Sequence, residues 1–313
     1  MLLRRNFLNS TLGAGISLML PMQGSQRTSA QSARRMIVDA QVHLWKPESP
    51  DWRWVPGLKP QLSEPLTIER LLPMMDEAGV DRVVIVPPSW PGDRNDYALE
   101  AVQRHPNRFA VMGRIPLQNP QSAALLPRWK EQRGMLGVRV TFNSDATIAW
   151  LRDGTVDWFW PAAEKAEVPV MFLASGQVSM FARIAERHQQ LTLIIDHMGL
   201  RSSSRTNRIT EIPTAIDQTV ALAKYPNVSV KLSGALGNSL EPYPFSDMTV
   251  YLRRVFDAYG PQRCYWGTDM TNSFTRAGYR QRVTHFTEEL SFLSESDKDW
   301  VMGRAILARL KWA

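Results

Sequence analysis

The chain has one cysteine, Cys264, in 313 residues. A lone thiol excludes an internal disulfide framework and any cysteine-built zinc centre. In its apolar stretch Cys264 reads as a small core residue. Histidine is scarce as well, with five in the whole chain, so the position of each one carries information. No apolar run reaches the roughly 18 to 20 residues that cross a bilayer, and no stable membrane anchor is expected. No run of Lys and Arg is interleaved with aromatics, which argues against a nucleic-acid partner. No Gly-x-Gly-x-x-Gly follows any strand-like run, so nothing supports a dinucleotide site. No linker of flexible composition divides residues 34–313, which are read as one domain.

The N-terminus is read apart from that domain. Arg4-Arg5-Asn6-Phe7-Leu8 precedes a mildly apolar stretch, Leu12 to Leu20, and then small and polar residues, Thr28-Ser29-Ala30-Gln31-Ser32-Ala33. This pattern looks like a twin-arginine export signal over residues 1–33, cleaved between Ala30 and Ala33. It implies transit through the twin-arginine machinery and a periplasmic or secreted protein. The formal net charge is +7, and Arg4, Arg5 and Arg27 fall in this segment without any acid, leaving 7 − 3 = +4 for the rest. So mild an excess suits a few arginines in a pocket for an anionic small molecule.

The domain opens with Val38-Asp39-Ala40-Gln41-Val42-His43-Leu44-Trp45. On a regular strand, Asp39, Gln41 and His43 share one face. That face is either the wall of a reaction centre or the polar side of an edge strand. The loop that follows, from Trp45 to Pro60, holds Trp45, Trp52 and Trp54 with four prolines. It is either a lid over a pocket mouth or surface packing.

A rhythm then sets in. Helical patterns at 67–78, 95–105, 120–133, 156–166, 177–188, 212–224 and 248–259 alternate with apolar runs at 80–86, 108–112, 136–140, 168–173, 191–195, 228–232 and 263–266. Closing helices are expected at 279–290 and 297–310. With the first strand this makes eight strand–helix units, the pattern of a parallel α/β sheet closed as a (β/α)8 TIM barrel. A doubly wound sheet is the runner-up. In such barrels the chemistry sits at the C-terminal strand ends. Those ends supply His43, then Ser89, Arg114, Arg139, His197 in Asp196-His197-Met198-Gly199, Lys231 in Lys231-Leu232-Ser233-Gly234, and Asp269 in Gly267-Thr268-Asp269. Asp196 could instead cap a loop, and Arg139 and Lys231 could pair with acids inside the barrel. His105, His188 and His285 fall in helical stretches and are read as surface residues.

Taken together, Val38 to Trp45, Gly137-Val138-Arg139, Asp196 to Gly199, Val230 to Gly234 and Trp266 to Asp269 resemble the amidohydrolase superfamily. The branch is amidohydrolase-2, which includes sugar-lactone hydrolases and 2-pyrone-4,6-dicarboxylate hydrolase. The departures are specific. The family's first strand usually offers His-x-His, and here the first position is Gln41. Its fifth strand often ends in histidine, and here the end is Leu173-Ala174-Ser175. An amide is a poor zinc ligand beside imidazole, so a metal-free site is expected. If one divalent zinc or manganese is bound, its ligands are Gln41, His43, His197 and Asp269.

The resemblance implies a hydrolase that opens a lactone of an anionic or polyhydroxylated ring. Asp269 is expected to act as general base, with His43 and His197 polarising the carbonyl or water and Lys231 stabilising the oxyanion. Arg139, with Arg114 or Arg201, is expected to hold a substrate carboxylate. Gln41 and Ser89 are expected to face the substrate, and Trp45 and Trp54, with Trp52, to wall its ring. The alternatives are a metal-dependent decarboxylase or hydratase of an acidic ring-cleavage product, and a periplasmic binding protein on a decayed barrel.

Overall fold

Eight parallel strands lie side by side in chain order. They are β1 (Val38–Val42), β2 (Arg82–Ile85), β3 (Phe109–Gly113), β4 (Met135–Thr141), β5 (Val170–Leu173), β6 (Leu193–Ile195), β7 (Val228–Lys231) and β8 (Cys264–Tyr265). Parallel neighbours need a crossover, and helical segments supply it between successive strands. The computed structural model describes residues 34–201 and 211–313. The export segment read over 1–33 lies outside the described residues. Residues 35–313 form one compact unit.

Local chemistry sets most boundaries. The helix Ile68–Ala78 begins where the Thr67 hydroxyl accepts the Arg70 N–H and ends at Gly79, whose φ of 76° makes a left-handed cap. Three segments differ from the sequence pattern. Residues Pro120–Glu131 form a 3₁₀ helix; Pro127 in their interior can donate no backbone hydrogen bond. A further helix runs over Asp145–Asp153, started by a Ser144–Thr147 capping box, with Ile148 and Leu151 half-buried against the core. The closing helices each contain a π turn, at His285–Glu289 and Trp300–Arg304.

The apolar residues divide into two clusters. Val38, Ala40, Val84, Val86, Met112, Met171, Ile194 and Tyr265 fill the inside of the barrel. Val42, Val83, Ile85, Val111, Val138 and Phe172 lie on the other side of the same strands, against the helices. Cys264 is buried in this outer layer.

The two clusters expose a break in β1. Asp39 pairs with Val83 and Val42 with Ile85, so β1 spends three residues where β2 spends two. This is a β-bulge, and a one-residue insertion reverses the facing of everything beyond it. Asp39 and Val42 therefore point outward, while Ala40 and Gln41 both turn inward. The expected single face of Asp39, Gln41 and His43 is broken. The seam between β8 and β1 is closed by Ala40 N–H to Trp266 O at 3.1 Å and Asp269 N–H to Gln41 O at 3.0 Å.

His285 corrects another expectation. It is fully buried, packed on Phe245 and Phe286, and burial lowers its pKa to about 4. His188 is half-buried and pairs with Glu164 at 2.8 Å.

Candidate active site

Four of the expected side chains meet at the C-terminal end of the barrel. Asp269 Oδ1 lies 3.0 Å from His43 Nε2, and Asp269 Oδ2 lies 3.4 Å from His197 Nε2. The Gln41 amide nitrogen sits among them, 3.5 Å from His43 Nε2, 3.4 Å from His197 Nε2 and 3.4 Å from Asp269 Oδ1. The bulge makes this convergence possible, because it turns Gln41 inward behind Ala40.

Each group is held from behind. His43 Nδ1 lies 2.7 Å from the Val86 carbonyl oxygen. A carbonyl only accepts, so Nδ1 carries a proton. The other ring nitrogen, Nε2, faces the Asp269 carboxylate at 3.0 Å. His197 Nδ1 is 2.8 Å from Ser233 Oγ. Asn272 Nδ2 donates to Asp269 Oδ2 at 2.7 Å. His197, Met198 and Asp269 all have left-handed backbones, with φ of 55°, 56° and 45°. Such conformations cost roughly 1–3 kcal/mol each and persist where the surroundings enforce them. Gly234 leaves the room that His197 needs, since a Cβ there would stand 2.8 Å from His197 Cβ.

A second cluster lies beside the first. Asp196 pairs with Lys231 Nζ at 2.6 Å through Oδ1 and accepts from Arg139 Nε at 3.0 Å through Oδ2. Lys231 also donates to Gln41 Oε1 and touches Met171 Sδ at 3.3 Å. Asp196 is therefore an ion-pair anchor and not a loop cap. Lys231 is fully buried, and its hydrogen bond toward the first cluster goes to the Gln41 amide oxygen.

The electrostatics separate the groups. Burial pushes Asp269 upward, but His197, His43 and Asn272 outweigh it and hold the carboxyl far below the usual carboxylate range. Burial acts on Asp196 in the same direction, and Lys231, Arg139 and His197 overcome it and bring it to about 2. Burial lowers His197 despite the opposing pull of Asp269 and Asp196. Lys231 is lowered by burial against the pull of Asp196.

Two guanidiniums face the same side of the mouth. One terminal nitrogen of Arg139 donates to Thr141 Oγ1 at 2.6 Å, and its other terminal nitrogen joins neither this bond nor the Asp196 pair. Arg114 pairs with Asp93 through Nε at 3.3 Å, while its Nη1 is buried without a hydrogen-bond partner among the described residues. Burial and the nearby Arg139 charge lower Arg114 to about 10. Arg114 and Arg139 are thus neighbouring cations, and one Arg114 donor is unused. Arg201 is exposed and outside this pair.

The remaining expectations fare differently. Ser89 is exposed, and its side chain makes no bond to the cluster. Trp45 is fully buried, edge-on to Trp90 with ring centroids 5.1 Å apart. It is core and does not wall a substrate. Trp90 is the residue beside the site, its ring centroid 6.4 Å from that of His43. Trp52 packs on Tyr97 under Arg94, and Trp54 is half-buried against the outer core. The loop is therefore tied down by packing at Trp45 and Trp52. Trp90, Ser233 and Asn272 were missed; the first two stand beside residues that were singled out, and adjacency was the available signal.

The donor set can be tested for a metal. Two imidazoles and a carboxylate converge, but the group between them is an amide N–H2, and an ammonium stands directly behind it. Among the described residues no group of three or more His, Cys, Asp or Glu side chains is arranged to hold a metal ion. An amide is a poorer zinc ligand than an imidazole, so the group at the centre of this set is the one that suits zinc least.

Comparison with known proteins agrees with this layout. The chain is 25% identical over 234 residues to L-fucono-1,5-lactonase of Burkholderia ambifaria, covering 74% of this chain and 79% of that protein. It is 29% identical over 221 residues to 4-sulfomuconolactone hydrolase of Hydrogenophaga intermedia, covering 66% of this chain and 65% of that one. Among solved structures, an amidohydrolase from Burkholderia multivorans with bound zinc superposes with a TM-score of 0.73 at 20% identity, over 88% of this chain and 99% of the other. The amidohydrolase family model matches residues 38–307, and with eight parallel strands delivering His43, His197 and Asp269 to one end, this chain belongs to the amidohydrolase family.

Proposed function

We propose that the protein opens a lactone carrying an anionic group, by water attack assisted by Asp269 and without a metal. The observation that carries this reading is the Asp269 carboxylate, held ionised between His43 and His197. Arg139 and Arg114 hold the substrate's carboxylate or sulfonate and fix the ring over Asp269. The similar proteins act on a sugar lactone and a sulfomuconolactone by name, which supports a cyclic ester as substrate class.

In the chemical step, a water oxygen bonds to the lactone carbonyl carbon and its proton passes to Asp269. The carbonyl π electrons move onto oxygen, where His43 and His197 stabilise them. Collapse of that intermediate breaks the ring C–O bond, and Asp269 returns the proton to the leaving oxygen. The product is the open hydroxy acid. Lys231 contributes through Gln41, whose amide it polarises on the oxygen side. An ester has a better leaving group than an amide, so this donor set suits lactones. On the twin-arginine pattern of residues 4–33 alone, the site of action is periplasmic or secreted.

The test is a panel of carboxylated and neutral lactones, assayed by acid release with and without a chelator. Hydrolysis of a carboxylated lactone at the same rate in both conditions is the expected result. Failure to open any lactone removes the proposed activity, and loss of turnover with chelator removes the metal-free mechanism.

A further inference from the structure

The outward turn of Asp39 needs an explanation, because a buried carboxylate without a use is costly. Asp39 is fully buried. Its Oδ1 accepts the Gln41 N–H at 3.0 Å and the Thr268 N–H at 2.8 Å. Its Oδ2 accepts the Thr268 hydroxyl at 2.6 Å and the Tyr279 hydroxyl at 2.8 Å. All four donors therefore converge on one side chain. Two of them belong to the residue immediately before Asp269, and a third to the backbone of Gln41.

The same short helix, Tyr279–Thr284, supports Asp269 from its other side. Arg282 lies three positions after Tyr279 and so on the same helix face. Its guanidinium is buried and donates to Ser273 Oγ at 3.0 Å, Ser273 O at 2.6 Å and Ala277 O at 3.3 Å. Those bonds pin the turn Met270–Arg276, which carries Asn272 to Asp269 Oδ2. Trp266 closes the arrangement, its indole N–H bonded to Arg282 O at 3.2 Å and its ring stacked on Tyr279. The strained backbone of Asp269 is thus gripped one residue before it and three residues after it.

We infer that Asp39, Tyr279 and Thr268 form a positioning unit for Asp269, set on the outer wall of the barrel by the β1 bulge. None of the three touches the reacting groups. They hold the Asp269 carboxylate against His43 and His197, at an angle that its own left-handed backbone would not keep unaided. The inference rests on Asp269 being the base of the proposed hydrolysis, and misplacement of such a group by about 1 Å costs up to roughly a hundredfold in rate.

The experiment compares the full-length protein with Tyr279→Phe, Thr268→Val and Thr268→Ser, since Asp39→Asn risks failing to fold. Two measurements are made: steady-state kinetics on a lactone that the wild type opens, and hydrogen–deuterium exchange of the backbone segment 266–272. Tyr279→Phe and Thr268→Val should each lower kcat about tenfold or more with KM within twofold, and should speed exchange in that segment alone. Thr268→Ser keeps the hydroxyl and should restore kcat and exchange to near wild-type values. Unchanged exchange in Tyr279→Phe and Thr268→Val would overturn the positioning unit. So would a general loosening in which kcat and KM deteriorate together and serine gives no rescue. If the wild type opens no lactone, the function reading fails on that result, and the exchange comparison still decides the positioning unit.

Discussion

Two buried carboxylates stand side by side in this barrel, and their surroundings give them different work. Asp196 faces Lys231 and Arg139. Asp269 faces His43, His197 and the Gln41 amide. Both acids are held below their usual range. Asp269 lies between two imidazoles, each of which can donate or accept through its ring nitrogens. Asp196 sets its charge against two cations, one of which donates to Gln41. Low pKa alone does not distinguish the two acids; the chemistry of the neighbours does.

The contrast can be broken most directly at Asp269. Asp269→Asn should cut kcat about a thousandfold or more while the melting temperature stays within a few degrees. Steady-state kinetics with a thermal melt checks both, and near-normal turnover would erase the distinction drawn here. The complementary change is Lys231→Met. It leaves Asp196 with one cation in a buried site and should destabilise the fold by about 3–5 kcal/mol, read by denaturant unfolding. A cost well under 1 kcal/mol would mean that the Asp196 cluster is not structural.

Acid separates stability from function in the same way. Asp196 is lowered from 3.8 to about 2, so the unfolded state binds its proton first. The stabilisation is present above about pH 4 and is lost as pH falls from there toward 2. It amounts to roughly 2 kcal/mol by linkage, and unfolding midpoints measured between pH 5 and 2 should show it. In Lys231→Met that acid dependence should shrink. The smallest effect is expected at Arg114. Arg114→Gln should raise KM for a carboxylated lactone about tenfold and leave a neutral lactone unaffected. An equal change on both substrates would remove Arg114 from the anion site.

Much of this was readable along the chain. The alternation of apolar runs with helical stretches announced eight parallel strands, because strands buried on both faces are apolar throughout. The strand ends then nominated His43, His197, Asp269, Lys231 and Arg139, and all five lie in the two clusters. The reading failed where a local pattern had more than one spatial outcome. Ser89 and Trp90 are neighbours at one strand end, and composition could not say which side chain turns toward His43. His285 sits in a helical stretch with polar neighbours, and only the packing of Phe245 and Phe286 shows that it is buried.

Residue types and their spacing by themselves determined the barrel, its count of strands and the set of titratable groups at its mouth. Hydrophobic periodicity is a local property, and it survives translation into structure. The tertiary structure decided the rest. It placed one extra residue in β1 opposite β2, which sent Asp39 outward to Thr268 and Tyr279 and brought Gln41 inward between His43, His197 and Asp269. A bulge exists only between two strands, so no single strand's sequence contains it.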